Sequence, residues 1–347
     1  MLRFQAAGSA SRPQPPSLPF PPPLAGEGQG GGALAAAFDA LDRQRIRYAF
    51  RKGSEHINPF APGSEVDILI EPIELRAAEL VVREHGFRRL DAPGSPRHRF
   101  YLAIDRGHWL KIDAKLARGS GGTTQSGRRW GAAKHLLTAL RQRRPLGFRR
   151  AGPVVALLGP DGAGKGTVIE ALRARIPAGV TVIYLGERRR RSSHPTLFQT
   201  GRETERRVSA LRECAFVAYR ALRFWSILLR GYLAAWSGHI VLCDRHPIEA
   251  LAIRPRISRS AAWLEGFLFG RLMPWPDAVA VLDAPGEVLY ARKGEHSPDV
   301  LEHQRRRYRD TFLPRGARLI STLDGVETAI ADASAVVWAA LKERRRW

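Results

Sequence analysis

The sequence predicts an α/β protein in two units: a three-layer α/β/α unit on a mostly parallel sheet, preceded by a smaller α/β unit. Three observations predict it. From about residue 153 onward, short apolar strand patterns alternate with helical stretches, the arrangement that places crossover helices on both faces of a parallel sheet. One such strand, Val154-Val155-Ala156-Leu157-Leu158, runs through a glycine-rich loop straight into a helix pattern at Val168-Ile169-Glu170-Ala171-Leu172-Arg173. A second set of strand and helix patterns fills residues 34–117, and a Gly, Ser and Thr stretch at 118–127 divides the two. At 347 residues the chain is long enough for two cores.

Residues 1–33 are rich in Pro, Gly, Ala and Ser, too poor in apolar surface to offset ordering entropy, and are expected to be disordered. A helix from Leu34 to Arg45 and a strand over Ile46–Phe50 follow. A second strand is expected at Val66–Ile70, after a loop containing Lys52-Gly53-Ser54. Leu75, Ala78, Leu80, Val81 and Val82 recur at helical spacing within Ile73–His85, and Gly86 stops that helix. Strands at Arg99–Ile104 and Trp109–Lys115 flank an Asp105-Arg106-Gly107 turn. Residues 118–152 read as a linker with a connecting helix at Trp130–Arg144. The second unit, 153–347, is expected to hold strands at 154–158, 180–185, 239–243, 278–282 and 318–321. Its helices are expected at 165–176, 203–236, 261–273, 286–292, 298–312 and 325–343.

The loop Gly159-Pro160-Asp161-Gly162-Ala163-Gly164-Lys165-Gly166-Thr167 has the spacing G-x-x-x-x-G-K. Glycines let successive backbone N–H groups turn inward, the following helix adds partial positive charge, and Lys165 adds a full one. Such a loop cradles a polyphosphate. An ordinary glycine-rich turn is the plainer reading, and it leaves the joint placement of strand, Lys and Thr unexplained.

Net charge is +23, mostly from arginine, which admits anionic partners. The arginines are spread along the chain, without a basic stripe interleaved with aromatics, so solvated faces account for most of the excess and nucleic acid is not indicated. Cys214 and Cys243 lack the spacing of a disulfide framework or zinc site. The N-terminus lacks the apolar core of a signal peptide. Ala215 to Trp236 is interrupted by Arg220, Arg223 and Arg230, so no membrane span is expected and a cytoplasmic location is.

Residues 153–343 resemble the thymidylate kinase-like branch of the nucleoside monophosphate kinases, the P-loop phosphotransferases. The resemblance rests on the loop with Asp161 inside it, on His239-Ile240-Val241-Leu242-Cys243-Asp244-Arg245, on Leu282-Asp283-Ala284-Pro285, and on Ala291-Arg292-Lys293-Gly294-Glu295 before Tyr308. It implies ATP and Mg²⁺ as cofactors and a small phosphorylated acceptor as partner, and it allows a homodimer. Gly159, Asp161, Gly162, Gly164, Lys165, Gly166 and Thr167 would bind the nucleotide. Lys165 would hold the β- and γ-phosphates, and Thr167 would orient Mg²⁺. Asp161 would meet the acceptor's sugar, or else stabilise its own loop. Asp244 would organise Mg²⁺ or the acceptor, and Arg245 would grip the acceptor phosphate; a plain strand-end ion pair is the alternative. Arg292 and Lys293, with Glu295, would belong to a closing lid, or to a solvated charged helix.

Two departures weaken base recognition. Gly186-Glu187-Arg188-Arg189-Arg190-Arg191 stands where thymidylate kinases carry an acidic-basic Pro-Gly-Gly signature, and His246-Pro247-Ile248-Glu249 replaces an aromatic and Ser-Ser stretch. The phosphoryl chemistry survives the comparison, while thymidylate as acceptor does not follow.

Residues 36–116 resemble the nucleotidyltransferase fold through Gly53-Ser54, Glu65-Val66-Asp67 and Asp113. Alternation along a strand puts Glu65 and Asp67 on one face, where the resemblance would have them share magnesium ions with Asp113. Acidic residues at strand ends in a purely structural unit are the alternative. The chain thus admits a kinase, a nucleotidyltransferase with the glycine-loop unit as regulator, or a non-enzymatic anion- or RNA-binding protein. His56, His98 and His135 are expected as surface or core histidines, and Trp225 and Trp236 as core.

Overall fold

The computed structural model describes residues 32–51, 65–91, 97–117, 152–186, 210–253 and 258–343. The expected N-terminal disorder, Gly53-Ser54, the connecting helix 130–144, Arg188 to Arg191, His56 and His135 lie outside the described residues. Two sheet regions stand out, each with helices against it.

The first region comprises α1 (Ala33–Arg43), β1 (Tyr48–Phe50), β2 (Glu65–Ile70), α2 (Leu75–Glu84), β3 (Arg88–Asp91), β4 (His98–Asp105) and β5 (His108–Leu116). The strands form a mixed sheet in the order β1-β2-β5-β4-β3, with β2 and β5 parallel and the other pairs antiparallel. Arg106 and Gly107 both take left-handed φ values, 47° and 83°, which close the β4–β5 hairpin with the twist a tight turn needs. Val66, Ile68 and Ile70 alternate inward against α1 and α2, around Phe38, Leu41, Val81 and Val82. β3 was not expected: Arg88-Arg89-Leu90-Asp91 has one apolar residue, and pairing with β4 makes the strand.

The second region is a parallel sheet in the order β10-β9-β6-β8-β7, from β6 (Val154–Leu158), β7 (Val180–Tyr184), β8 (Ile240–Asp244), β9 (Ala278–Asp283) and β10 (Arg318–Ser321). Its helices are α3 (Lys165–Arg175), α4 (Ala210–Trp236), α5 (Arg259–Phe267), α6 (Gly286–Lys293), α7 (Pro298–Phe312) and α8 (Val326–Glu343). All of β6 is buried because both faces are covered. Val155 and Leu157 pack with α3 and α8, whereas Val154, Ala156 and Leu158 pack with α4, Phe269, Tyr308 and Phe312. Leu90, Leu102 and Trp109 of the first sheet join the α8 side, where Trp109 meets Trp338 edge-on at 5.9 Å.

Trp225 and Trp236 are not core residues: they are 40% and 49% exposed. Val217, Ala221, Phe224, Leu228, Gly231 and Ala235 form the buried face of α4, and both tryptophans lie well round the helix from it. No helix among the described residues is long and apolar enough to cross a membrane.

Candidate functional site

The order of the second sheet decides where chemistry can gather. The chain leaves β6 for β7 and β8 on one side and later reaches β9 and β10 on the other, so the strand order reverses at β6, and the carboxyl end of such a strand is where open α/β sheets take ligands. Three strand ends meet there: the glycine loop after Leu158, Asp244-Arg245 after β8, and Asp283 at the end of β9.

The loop is shaped by glycine conformation. Gly159, Gly162 and Gly164 have φ of 142°, 86° and 82°, values that side chains resist. A Cβ at Gly159 would lie 2.5 Å from the Leu282 carbonyl oxygen, and one at Gly162 would lie 2.6 Å from that of Leu289. The loop therefore packs backbone against backbone of β9 and α6. Lys165, at the first turn of α3, is buried and folds back to donate to the carbonyl oxygens of Gly159 at 2.7 Å and Pro160 at 2.8 Å. Burial, reinforced by the positive charge of Arg245, pulls its pKa down to about 8, against the pull of Glu249, Asp161 and Asp244. Gly166 and Thr167 are exposed on the first turn of α3.

Asp161 joins the loop to the other cations. Arg245 donates to its carboxylate, and Lys293 Nζ lies 3.7 Å away. Burial alone would raise the Asp161 pKa; Arg245, Lys165 and Lys293 overcome it and hold the carboxyl below its usual range. Arg245 has φ of 68°, an uncommon backbone for a residue with a side chain. Its backbone N–H donates to Leu157 O at 3.2 Å, and its guanidinium lies 3.6 Å from Glu249. Burial opposes the charge on Arg245, yet Glu249 and Asp161 hold its pKa above the ordinary value.

Glu249 and Tyr308 form the floor beneath Arg245. Tyr308 is fully buried on α7, and burial together with Glu249 raises its pKa. Burial likewise raises that of Glu249, against Arg245 and Lys165. Glu249 Oε1 and the Tyr308 hydroxyl are closed off from solvent, and the Tyr308 hydroxyl is directed at the Glu249 carboxylate. His246 is buried as well: its Nδ1 accepts from Ile248 N, and burial lowers its pKa to about 3, so the ring is neutral. In the sequence, Tyr308 only closes one of the motifs of the resemblance, and His246 and Glu249 fall in a departure from it; Arg-x-x-x-Glu spacing is the local signal that pairs Arg245 with Glu249.

Of the expected residues, Asp161, Lys165 and Arg245 come together, with Asp244 half-buried at the end of β8. Arg292 does not join them. Its guanidinium donates to Thr322 Oγ1 at 2.9 Å and Thr322 O at 2.8 Å, at the end of β10. Lys293, one residue on, reaches Asp161 and also pairs with Glu295 at 3.4 Å. Asp283 is engaged by Arg305 through two hydrogen bonds, of 2.7 and 2.9 Å.

The first region holds a second acidic group. Glu65, Asp67 and Asp113 offer carboxylate oxygens that all lie within 4.8 Å of one another, close enough to chelate a divalent cation. Register explains this, since Asp67 sits opposite Asp113 on the adjacent parallel strand. Each carboxylate also has a nitrogen partner: Lys111 lies 2.5 Å from Glu65, His98 Nδ1 2.8 Å from Asp113, and Arg51 3.6 Å from Asp67. Burial and the neighbouring Asp113 raise the pKa of Asp67. His98 is thus tied to this cluster. Comparison with known protein families and with curated proteins finds no match for the chain.

Proposed function

We propose that the second region catalyses ATP-dependent phosphoryl transfer to a small phosphorylated acceptor, in the manner of the thymidylate kinase-like P-loop kinases. The observation that carries this is Lys165 folded into a loop of three left-handed glycines, at the junction of a buried central strand and a helix N-terminus. Phosphoryl transfer asks a protein chiefly to position two anions and neutralise developing charge. Lys165 serves the β- and γ-phosphates, loop N–H groups and the α3 N-terminus the remaining oxygens, and Arg245 with Lys293 the acceptor phosphate. Thr167 and Asp244 would hold Mg²⁺, which supplies charge neutralisation between the phosphates. Labelled ATP with a panel of phosphorylated acceptors tests it: ADP and a γ-phosphorylated product are expected, and both should vanish in Lys165→Ala. Unchanged ADP formation in a folded Lys165→Ala protein would refute the reading.

A second reading is favoured by the carboxylate cluster: nucleotidyl transfer by the first region, with Glu65, Asp67 and Asp113 holding Mg²⁺ and Asp113 taking the acceptor proton. The contacts to Lys111, His98 and Arg51 must then open for metal to enter. Release of pyrophosphate rather than ADP, abolished by Asp67→Asn and untouched by Lys165→Ala, distinguishes it.

A further inference from the structure

Helix α5 and the π turn Leu268–Leu272 that continues it bury Ala261, Glu265 and Phe269 and turn the opposite face to solvent. That face carries Arg259, Trp263, Phe267 and Arg271, all exposed and each four residues from the next. Steps of four residues drift about 40° around an α-helix, and the wider π turn offsets the drift, so two rings stand in line between two guanidinium groups. The rings of Trp263 and Phe267 stack with centroids 5.6 Å and planes 1° apart, and Trp263 is 70% exposed. Leu272 and Trp275, 48% and 38% exposed, extend the apolar surface past the end of the turn, where the Trp275 indole N–H donates to Gly270 O at 3.4 Å. From 258 to 276 the one acidic residue is Glu265, which is turned inward to Arg220 at 3.1 Å. Aromatic and aliphatic side chains exposed in one patch mark an interaction site, and the charges that flank this one are positive.

We propose that this face docks the protein on an anionic lipid surface, with α5 lying parallel to the membrane plane. Trp263, Phe267, Leu272 and Trp275 enter the boundary between headgroups and acyl chains, where an aromatic ring buries its apolar body. Arg259 and Arg271, one turn beyond the rings at either end, stay at headgroup level and meet lipid phosphates and carboxylates. The net charge of +23 draws the chain toward such a surface. A single-stranded nucleic acid would use the rings and the arginines but leave Leu272 in water, whereas a bilayer takes up all three kinds of side chain. None of these residues belongs to the glycine-loop site or to the carboxylate cluster, so docking stands apart from whichever reaction the chain performs.

Cosedimentation of the full chain with vesicles tests this. The protein is expected to pellet with phosphatidylcholine vesicles that contain phosphatidylserine and to stay in solution with phosphatidylcholine alone. Trp263→Ser/Phe267→Ser should weaken binding about tenfold or more, and Arg259→Glu/Arg271→Glu should remove the preference for phosphatidylserine, each with unchanged circular dichroism because all four side chains are exposed. Brominated acyl chains should quench part of the tryptophan emission of the wild type, and less of it in Trp263→Phe. Equal binding by the wild type and the ring variant would mean adsorption by net charge alone and overturns the proposal, as does a wild type that pellets with neither vesicle. Loss of single-stranded oligonucleotide binding in the ring variant, with vesicle binding untouched, would assign the rings to nucleobases and overturn it as well.

Discussion

Arg245 and Asp161 are hydrogen-bonded across the carboxyl edge of the parallel sheet, tying the end of β8 to the glycine loop that leaves β6. The two residues are 84 positions apart in sequence, and adjacent strands bring them together. Asp161 presents a carboxylate to Arg245 and Lys293 where the proposed reaction places an acceptor phosphate.

Arg245→Lys should therefore damage acceptor use far more than ATP binding. A point ammonium cannot reproduce the fork that reaches Asp161 on one side and Glu249 on the other. Loss of a charged hydrogen bond there costs about 1.5–3 kcal/mol, or roughly one to two powers of ten in kcat/KM for the acceptor. Steady-state kinetics with each substrate varied separately will show it. Equal losses for both substrates, or none, would leave the pair as a structural bridge.

Lys165 gives the site a pH limit. Its charge is half lost at about pH 8, so nucleotide affinity, followed by calorimetry, should be level at lower pH and decline through and above that value. Stability should move the other way. Between about pH 8 and 10.5 the unfolded chain binds the proton that the folded one releases, so the free energy of unfolding should rise by about 1.4 kcal/mol per pH unit relative to Lys165→Met.

Gly162→Ala should destabilise the fold as well as the site. The new Cβ would meet the Leu289 carbonyl at 2.6 Å with φ at 86°, and left-handed backbone costs a side chain about 1–2 kcal/mol before the clash is counted. Denaturant unfolding should show a loss of about 2–4 kcal/mol. Gly166→Ala is the control: its Cβ meets nothing within 4 Å, and its stability should hold.

His246 predicts acid sensitivity. Buried and neutral, it has a folded pKa near 3, while the unfolded ring takes a proton near 6.5. Its contribution is complete above about pH 6.5 and falls by about 1.4 kcal/mol per unit as pH drops toward 3. His246→Asn keeps an acceptor for Ile248 N and removes the titration, so its unfolding free energy should depend less on pH across that window. Identical pH profiles would show that the ring titrates freely in the folded protein.

Features that lie within one contiguous stretch were legible from local rules. The run from Val154 to Arg173 specifies a buried strand, a glycine turn and a helix through local rules alone, and the structure has all three. Glu65 and Asp67 share a face because side chains alternate along a strand, which needs no knowledge of neighbours. Features that depend on side-chain direction and on distant partners follow only from packing. Arg292 and Lys293 differ by one residue but by about 100° around α6, so one meets Thr322 and the other Asp161, a distinction no charge pattern carries. Glu249 and Tyr308 meet beside Arg245 only because α7 packs over β9. β3 exists because β4 offers it a hydrogen-bonding edge. On α4, apolar residues occur at enough positions to fill two faces, and packing chose Phe224 for the core and left Trp225 on the surface.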